Sequence, residues 1–356
     1  MKLLCLCKRR PQGRDLFAQP YGRFYHLPRL LAESGHEVHL VLLSYKCDPP
    51  QYQKKANLHW HSVSAIPWGP CPFLSKAKQL ALETKPDWVI GFSDTWYGIM
   101  ACHIARSVGA HTLIDAYDNY ESYIPWAKPL HWAWRQALKR ADAVTAAGPQ
   151  LAELMSVSAG GRPVRIVPMA ADPNFFPMEK ATCRTRLGLP RDRILIGYTG
   201  SLYPSRDIEL LFSVFEALRS SEPRIELVLS GRVASRTSVP AGTHWLGYRP
   251  PEEVPLILNS LDLLIVVNKP GDFGDYSYPV KIYEAMACNV PVVATDVAGT
   301  SWVLRDHPRL LVRTAEVEDF VATATDILSL SPVSYPKTGG WVSSLNILEG
   351  ILRNGL

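Results

Sequence analysis

The stretch that decides the fold runs from 272 to 296, DFGDYSYPVKIYEAMACNVPVVATD. Tyr278 and Pro279 read as a turn into a helix over 280–287, because proline suits the position just before a first helical turn and strong helix formers follow. Asn289 then suits the left-handed position after the helix end, and the apolar run beyond it reads as a buried strand. Lys281 and Glu284 stand three residues apart and project from the same side. The lysine lies near the helix start, where unfilled backbone N–H groups and the helix dipole already attract an anion such as phosphate. Glu284, one turn deeper, is an acceptor-only group able to take both hydroxyl hydrogens of a vicinal diol such as a ribose. The same two residues also suit a solvated pair on an ordinary helix of an α/β domain, so the rest of the chain has to separate these readings.

Short apolar runs alternate with amphipathic segments on either side of this stretch. Residues 3–6, 38–43, 88–92, 112–114 and 143–145 read as strands, and the pattern restarts at 194–198, 225–229, 263–267 and 292–294. Such βαβ rhythm implies parallel sheets covered by helices on both faces. With 356 residues, the chain suits two domains. The expected boundaries are 1–168 for the first, a proline-bearing linker at 169–190, and 191–339 for the second. Near the end, Trp341, Val342, Leu345, Leu348, Ile351 and Leu352 fall at helical spacing over one face. Ligands of open α/β sheets bind at the carboxyl ends of the strands, so two such domains facing a central cleft would hold one ligand each.

Composition excludes several function classes. Hydrophobic residues are 47% and charged residues 20%, and no apolar run approaches the ~18 to 20 residues that span a bilayer. The apolar start, MKLLCLC, is too short for a signal peptide and reads as a first strand, which leads to an expectation of cytoplasmic location. Seven scattered cysteines without a Cys-x-x-Cys pair suggest neither disulfides nor zinc. The formal charge of +5 is compatible with anionic substrates or an anionic membrane surface and does not call for nucleic acid.

PVKIYEAMACNVPVVATDVAG resembles the donor-site signature of the GT-B glycosyltransferases of family 4 (glycosyl transferases group 1). VRIVPMAADPNFFP (164–177), GYTGSLYPSRDIELL (197–211) and HWLGYRPPEEVPLILNSLDLLIVV (244–267) are similar to that family's linker, phosphate loop and following segment, in the family's order. LPRLLAESGHEVHLVLL (27–43) resembles an early segment, in which His36 would be structural. The resemblance implies two Rossmann-like, doubly wound parallel-sheet domains, with helix 340–356 crossing back onto the first. It also implies a retaining transferase that moves a sugar from a nucleotide-diphosphate sugar, such as a UDP- or GDP-sugar, to a glycan or lipid-linked acceptor in polysaccharide or glycoconjugate synthesis.

Carried onto this chain, the donor site would comprise Gly200, Ser201, Arg206, Asp275, Tyr276, Ser277, Tyr278, Pro279, Val280, Lys281 and Glu284. Arg206, at the family's loop-lysine position, and Lys281 would grip the diphosphate. The family's loop arginine is replaced by Ser201, and its first motif glutamate by Tyr276, which leaves Asp272 and Asp275 as the nearest carboxylates for the donor sugar. No Asp-x-Asp follows a strand, so protein cations rather than a metal ion are expected to neutralise the leaving diphosphate, with no cofactor. On the acceptor side stand Arg14, Asp94, Tyr117 and Asp118, with Arg23 beside them. Asp118 suits either an acceptor-hydroxyl base or a helix cap, and Asp94 suits a helix cap. Residues 123–140, with Trp126, Trp132, Trp134, Lys128, Arg135, Lys139 and Arg140, suit peripheral contact with the cytoplasmic membrane face or inward packing of the tryptophans. A sugar-nucleotide epimerase, a phosphorylase and a non-catalytic nucleotide-sugar-binding protein remain alternatives; a Rossmann dehydrogenase lacks its Gly-x-Gly-x-x-Gly after the first strand.

Overall fold

The computed structural model describes the whole chain apart from residues 203–206, 233–237, 273, 314–315, 331–332, 337–338 and 356 and the side chain at position 12. The chain divides into two compact units, one of Met1–Ala170 with Gly339–Leu356 and one of Ala171–Thr338.

In the first unit, β1 (Lys2–Lys8) leads through α1 (Arg23–Glu33) to β2 (Glu37–Ser44), then β3 (Gln51–Lys55), β4 (Leu58–Ser64) and α2 (Cys71–Thr84). The chain continues as β5 (Trp88–Gly91), α3 (Thr95–Val108), β6 (His111–Ala116), α4 (Lys128–Arg140), β7 (Ala143–Ala146), α5 (Pro149–Ser158) and β8 (Arg165–Ile166). The sheet order is β3-β4-β2-β1-β5-β6-β7-β8. Every pairing is parallel except β3 with β4, an antiparallel edge hairpin that departs from the expected all-parallel sheet. The reason lies in composition: β3, QYQKK, is exposed along its length, so it carries no apolar signal and suits a solvated edge.

In the second unit, α6 (Lys180–Leu187) precedes β9 (Ile194–Thr199), α7 (Ile208–Ser221), β10 (Ile225–Ser230), β11 (Thr243–Trp245) and α8 (Val254–Ser260). There follow β12 (Leu263–Val266), α9 (Val280–Ala287), β13 (Val292–Thr295), α10 (Ala298–Val303), β14 (Leu311–Val312) and α11 (Val317–Ser329). All pairings in the order β11-β10-β9-β12-β13-β14 are parallel. The stretch expected as a linker is not bare chain. Helix α6 lies in it, with Arg184 buried and donating to Asp262 at 2.6 Å, which ties this segment to the second unit.

The last helix, α12 (Gly340–Asn354), belongs to the first unit. It buries Trp341, Leu345, Leu348 and Leu352, while Val342 stays 53% exposed, so the apolar stripe is narrower than its composition suggests. The Trp88 indole donates to the Leu352 carbonyl at 3.1 Å, the Ser344 hydroxyl to the Pro168 carbonyl at 2.8 Å, and His36 meets Glu349 at 2.8 Å.

Both units are wound in two directions from one central strand. In the first, the chain leaves β1 toward β2 and β4 and then crosses to β5. In the second, it leaves β9 toward β10 and β11 and then crosses to β12. Each unit therefore has a point, β1/β5 and β9/β12, where connections diverge and the strand ends open a crevice suited to a ligand.

Candidate functional site

The second unit's divergence point is built from the end of β9 and the start of α9. Helix α9 begins after Pro279, its N-cap, whose backbone is extended at ψ 113° and whose side chain makes no capping bond. It ends as the sequence requires: Asn289 takes φ 55°, its N–H donates to the Met286 carbonyl at 3.0 Å, and that of Val290 donates to the Ala285 carbonyl at 2.9 Å. This fixed helix points Lys281 back to β9. The Lys281 ammonium sits 3.8 Å from the centroid of the Tyr198 ring, a cation–π contact. A Cβ at Gly200 would lie 2.8 Å from the Lys281 Nζ, so the amine rests on the Gly200 main chain.

Glycine is required there twice over. Gly200 has φ 134°, which L side chains rarely adopt, and a Cβ on Gly231 would stand against the Gly200 carbonyl, so position 231 needs glycine as well. The ends of β9 and β10 are thus pressed together, with the Gly200 N–H donating to the Ser230 carbonyl at 2.8 Å. The Tyr198 hydroxyl donates to the Ser201 carbonyl at 3.3 Å, which steadies the loop where Ser201 stands. Glu284 is half-buried one turn along α9 from Lys281. Arg206 lies outside the described residues.

The other donor-side candidates separate. The Asp275 carboxylate accepts from the Gly271 N–H at 3.0 Å, and the Asp275 N–H donates to the Gly271 carbonyl at 3.0 Å, so this aspartate closes its own loop. Tyr276 is half-buried and Asp272 exposed. Ser277 is buried, and its carbonyl stands where a Cβ on Gly299 would be, so it packs against α10. Tyr278 is 4% exposed and meets Trp302 edge-on at 5.5 Å, which makes its ring part of the core. Pro279 and Val280 form the entry to α9.

On the first unit, the candidates sit at the carboxyl ends of the strands. Asp118, buried after β6, accepts from the Tyr123 hydroxyl at 2.7 Å. It is not the helix cap that its position also allowed, because the short 3-10 turn at Tyr120–Tyr123 has Asn119 in that place. Tyr117 packs edge-on against Phe24 at 5.1 Å. Asp94 stands at the N-cap of α3, yet its side chain makes no capping bond and instead faces Lys8 at 3.4 Å. Arg14 lies over the Tyr21 ring at 4.2 Å.

Arg23 corrects an expectation. It is 2% exposed and holds Asp115 with two bonds of 2.7 and 2.6 Å, while Nη1 donates to the Val167 carbonyl at 2.7 Å. A guanidinium so enclosed cannot face an acceptor; it locks α1 to β6 and to the end of the unit. The loop before it is also pinned. Arg10 and Ser44 hold the Asp48 carboxyl down to about 2, and Arg9 and Arg10 both pair with Asp15. Residues 123–140 split between their two readings: Trp134 is 1% exposed, whereas Trp126 and Trp132 are 76% and 66% exposed. Arg135 pairs with Glu121 at 2.6 Å.

The model for the family described as "Glycosyl transferases group 1" matches residues 193–329, and that for "Glycosyl transferase 4-like domain" matches residues 23–172. This chain belongs to the GT-B glycosyltransferases of family 4. Among curated relatives, it is 26% identical over 189 residues to the D-inositol 3-phosphate glycosyltransferase of Stackebrandtia nassauensis, covering 48% of this chain and 42% of that one. The chain spans about half the length of the first curated relatives it matches. Its fold is similar to that of sucrose-phosphate synthase from Thermosynechococcus elongatus, with TM-score 0.74 at 16% identity, over 100% of this chain and 94% of that one. It is likewise similar to Anabaena Alr3699/HepE solved with UDP and glucose, with TM-score 0.69 at 15% identity and the same coverages. No helix among the described residues is long and apolar enough to cross a membrane.

Within this family member, sequence reasoning missed Tyr198 and Lys8. An aromatic in an apolar strand run reads as core, and Tyr198 is indeed 1% exposed. Only its place at the strand end, just ahead of Gly200, hinted that its ring would be the floor for a cation.

Proposed function

We propose that this chain is a retaining, metal-independent glycosyltransferase that moves a sugar from a nucleotide-diphosphate sugar to a glycan or lipid-linked acceptor. The observation that carries the proposal is Lys281, whose ammonium rests on the Tyr198 ring and the Gly200 main chain near the start of α9. There it would neutralise the negative charge that develops on the departing diphosphate, and the first amides of α9 would add donors. Because the amine is already positioned, little reorganisation accompanies the reaction. Glu284, on the same face, would accept from the ribose hydroxyls. Asp118 would take the acceptor's hydroxyl proton or stabilise charge on the donor ring. Retention is carried by family membership, and the absence of an Asp-x-Asp motif supports protein cations in place of a metal ion. Exposed Trp126 and Trp132, with exposed Lys128 between them, favour peripheral contact with an anionic bilayer surface.

The test is a thermal-shift panel of uridine, guanosine and thymidine diphosphates and their sugars, followed by transfer assays with and without EDTA. A ligand at 100 times its dissociation constant adds ~2.7 kcal/mol of stability. Transfer that persists in EDTA supports the proposal. Nucleotide binding with no turnover on any acceptor would reduce the chain to a binding protein, and isomerisation or release of the sugar without acceptor would place it among epimerases or phosphorylases.

A further inference from the structure

The divergence point of the first unit, between β1 and β5, carries side chains that neither folding nor the donor site needs. Lys8 ends β1 and Asp94 follows β5; their charged groups stand 3.4 Å apart, with side chains 32% and 30% exposed. That separation exceeds the ~2.7 to 2.9 Å of a tight charge-assisted bond, and so exposed a pair adds little stability. Both groups keep hydrogen-bonding capacity to spare, since the ammonium has three donors and the carboxylate about four acceptor sites.

The backbone beneath them is strained and braced. Ser93, buried between β5 and Asp94, has φ 75°, a left-handed conformation uncommon for a residue other than glycine. A Cβ on Gly91 would lie 2.6 Å from the Tyr97 carbonyl, so α3 is pressed onto the strand it follows. Strain of this kind gathers where a side chain must be held at a set place for a ligand. Here it holds Asp94 away from its own helix amides, which it leaves uncapped, and toward Lys8.

An aromatic wall completes the place. Lys8 Nζ lies 5.6 Å from the centroid of the Tyr45 ring, Tyr45 is 48% exposed, and its hydroxyl meets that of buried Tyr97 at 3.2 Å. A donor, an acceptor and a half-exposed ring together match one chemical class: a pyranose, whose vicinal hydroxyls each donate and accept and whose C–H face lies against an aromatic surface. The charges of Lys8 and Asp94 cancel, which favours a neutral sugar over an anion.

We infer that Lys8, Asp94 and Tyr45 form a subsite for a neutral pyranosyl unit of the acceptor, at the strand ends of the first unit. The inference rests on the transferase proposal for its use, and its chemistry can be tested apart from it. Saturation-transfer NMR on the full chain, with UDP present, would be run with methyl α-glucopyranoside, methyl α-mannopyranoside and methyl β-galactopyranoside, and with glucuronate as the anionic control. At least one neutral glycoside is expected to bind saturably, with its strongest signals on one C–H face. Asp94→Asn and Lys8→Met should each weaken binding by roughly tenfold, the value of a hydrogen bond to a charged group. Tyr45→Ala should abolish the face preference, and an unchanged near-UV circular-dichroism spectrum and thermal melt would show each variant folded. No binding across the neutral panel, binding equal in all three variants, or preference for glucuronate overturns the subsite. Failure of the unaltered chain to bind any of the uridine, guanosine and thymidine diphosphates, with glycoside binding retained, would instead sink the transferase proposal and leave the subsite standing.

Discussion

The two divergence points are variations on one arrangement, a lysine amine over a tyrosine ring at the end of a central strand's crevice, and they differ in what neutralises the amine. In the second unit Lys281 meets Tyr198 and glycine main chain. In the first, Lys8 meets Tyr45 and also Asp94. Among the described residues, the same topology therefore sets the amine against a ring and glycine main chain in one half and against a ring and a carboxylate in the other. On the two proposals, the parallel sheet would fix where a ligand is held, while the carboxylate beside the amine would set whether that ligand is an anion or a polyol.

The largest break in the comparison would come from Lys281→Met, which keeps the stem's length and apolar packing but deletes the charge. Transfer is expected to slow by about 10²- to 10³-fold, the usual cost of one preorganised group, in steady-state kinetics with saturating acceptor. A loss of less than about fivefold would show that the second unit's cation is not at the reacting phosphates. Next, Glu284→Ala should weaken nucleotide diphosphate binding by roughly 1 to 3 kcal/mol in calorimetry, the value of hydrogen bonds to a charged group. Unchanged affinity would remove Glu284 from the site. The smallest effect sharpens the contrast without a mutation. Raising salt from about 0.05 to 0.5 M shortens the reach of exposed charges, so nucleotide diphosphate affinity should fall severalfold while methyl glycoside affinity holds. Parallel loss at both sites would mean that the first unit also binds through net charge.

How much of this was legible in the sequence depends on where its physics resides. Helix 280–287 and the left-handed Asn289 were readable because proline, helix formers and the cap position act locally. The central strands were readable because a strand buried on both faces is apolar throughout, as Leu263–Val266 is. The hairpin of β3 and β4 was not, since QYQKK is stabilised by an edge pairing that composition does not record. At the site, Gly200 and Lys281 were grouped through the family resemblance, while their contact, with the Tyr198 ring beneath the amine, was not foreseen. Nor were the fates of Arg23 and Asp94, because each depends on a partner far along the chain, Asp115 in one case and Lys8 in the other. Arg23 looks like a loop charge until Asp115, 92 residues away, is seen to enclose it.

The returning helix α12 has a consequence for biosynthesis. Trp88, His36 and Pro168 acquire these partners only when Leu352, Glu349 and Ser344 have been made. The unit begun first on the ribosome is thus completed last, whereas residues 171–338 form an uninterrupted segment that can close while translation continues. Nascent chains stalled after residue 338, exposed to brief proteolysis, should yield a protected middle fragment and a digested amino-terminal one; equal protection of both would show that the early segment matures without its late-arriving strut.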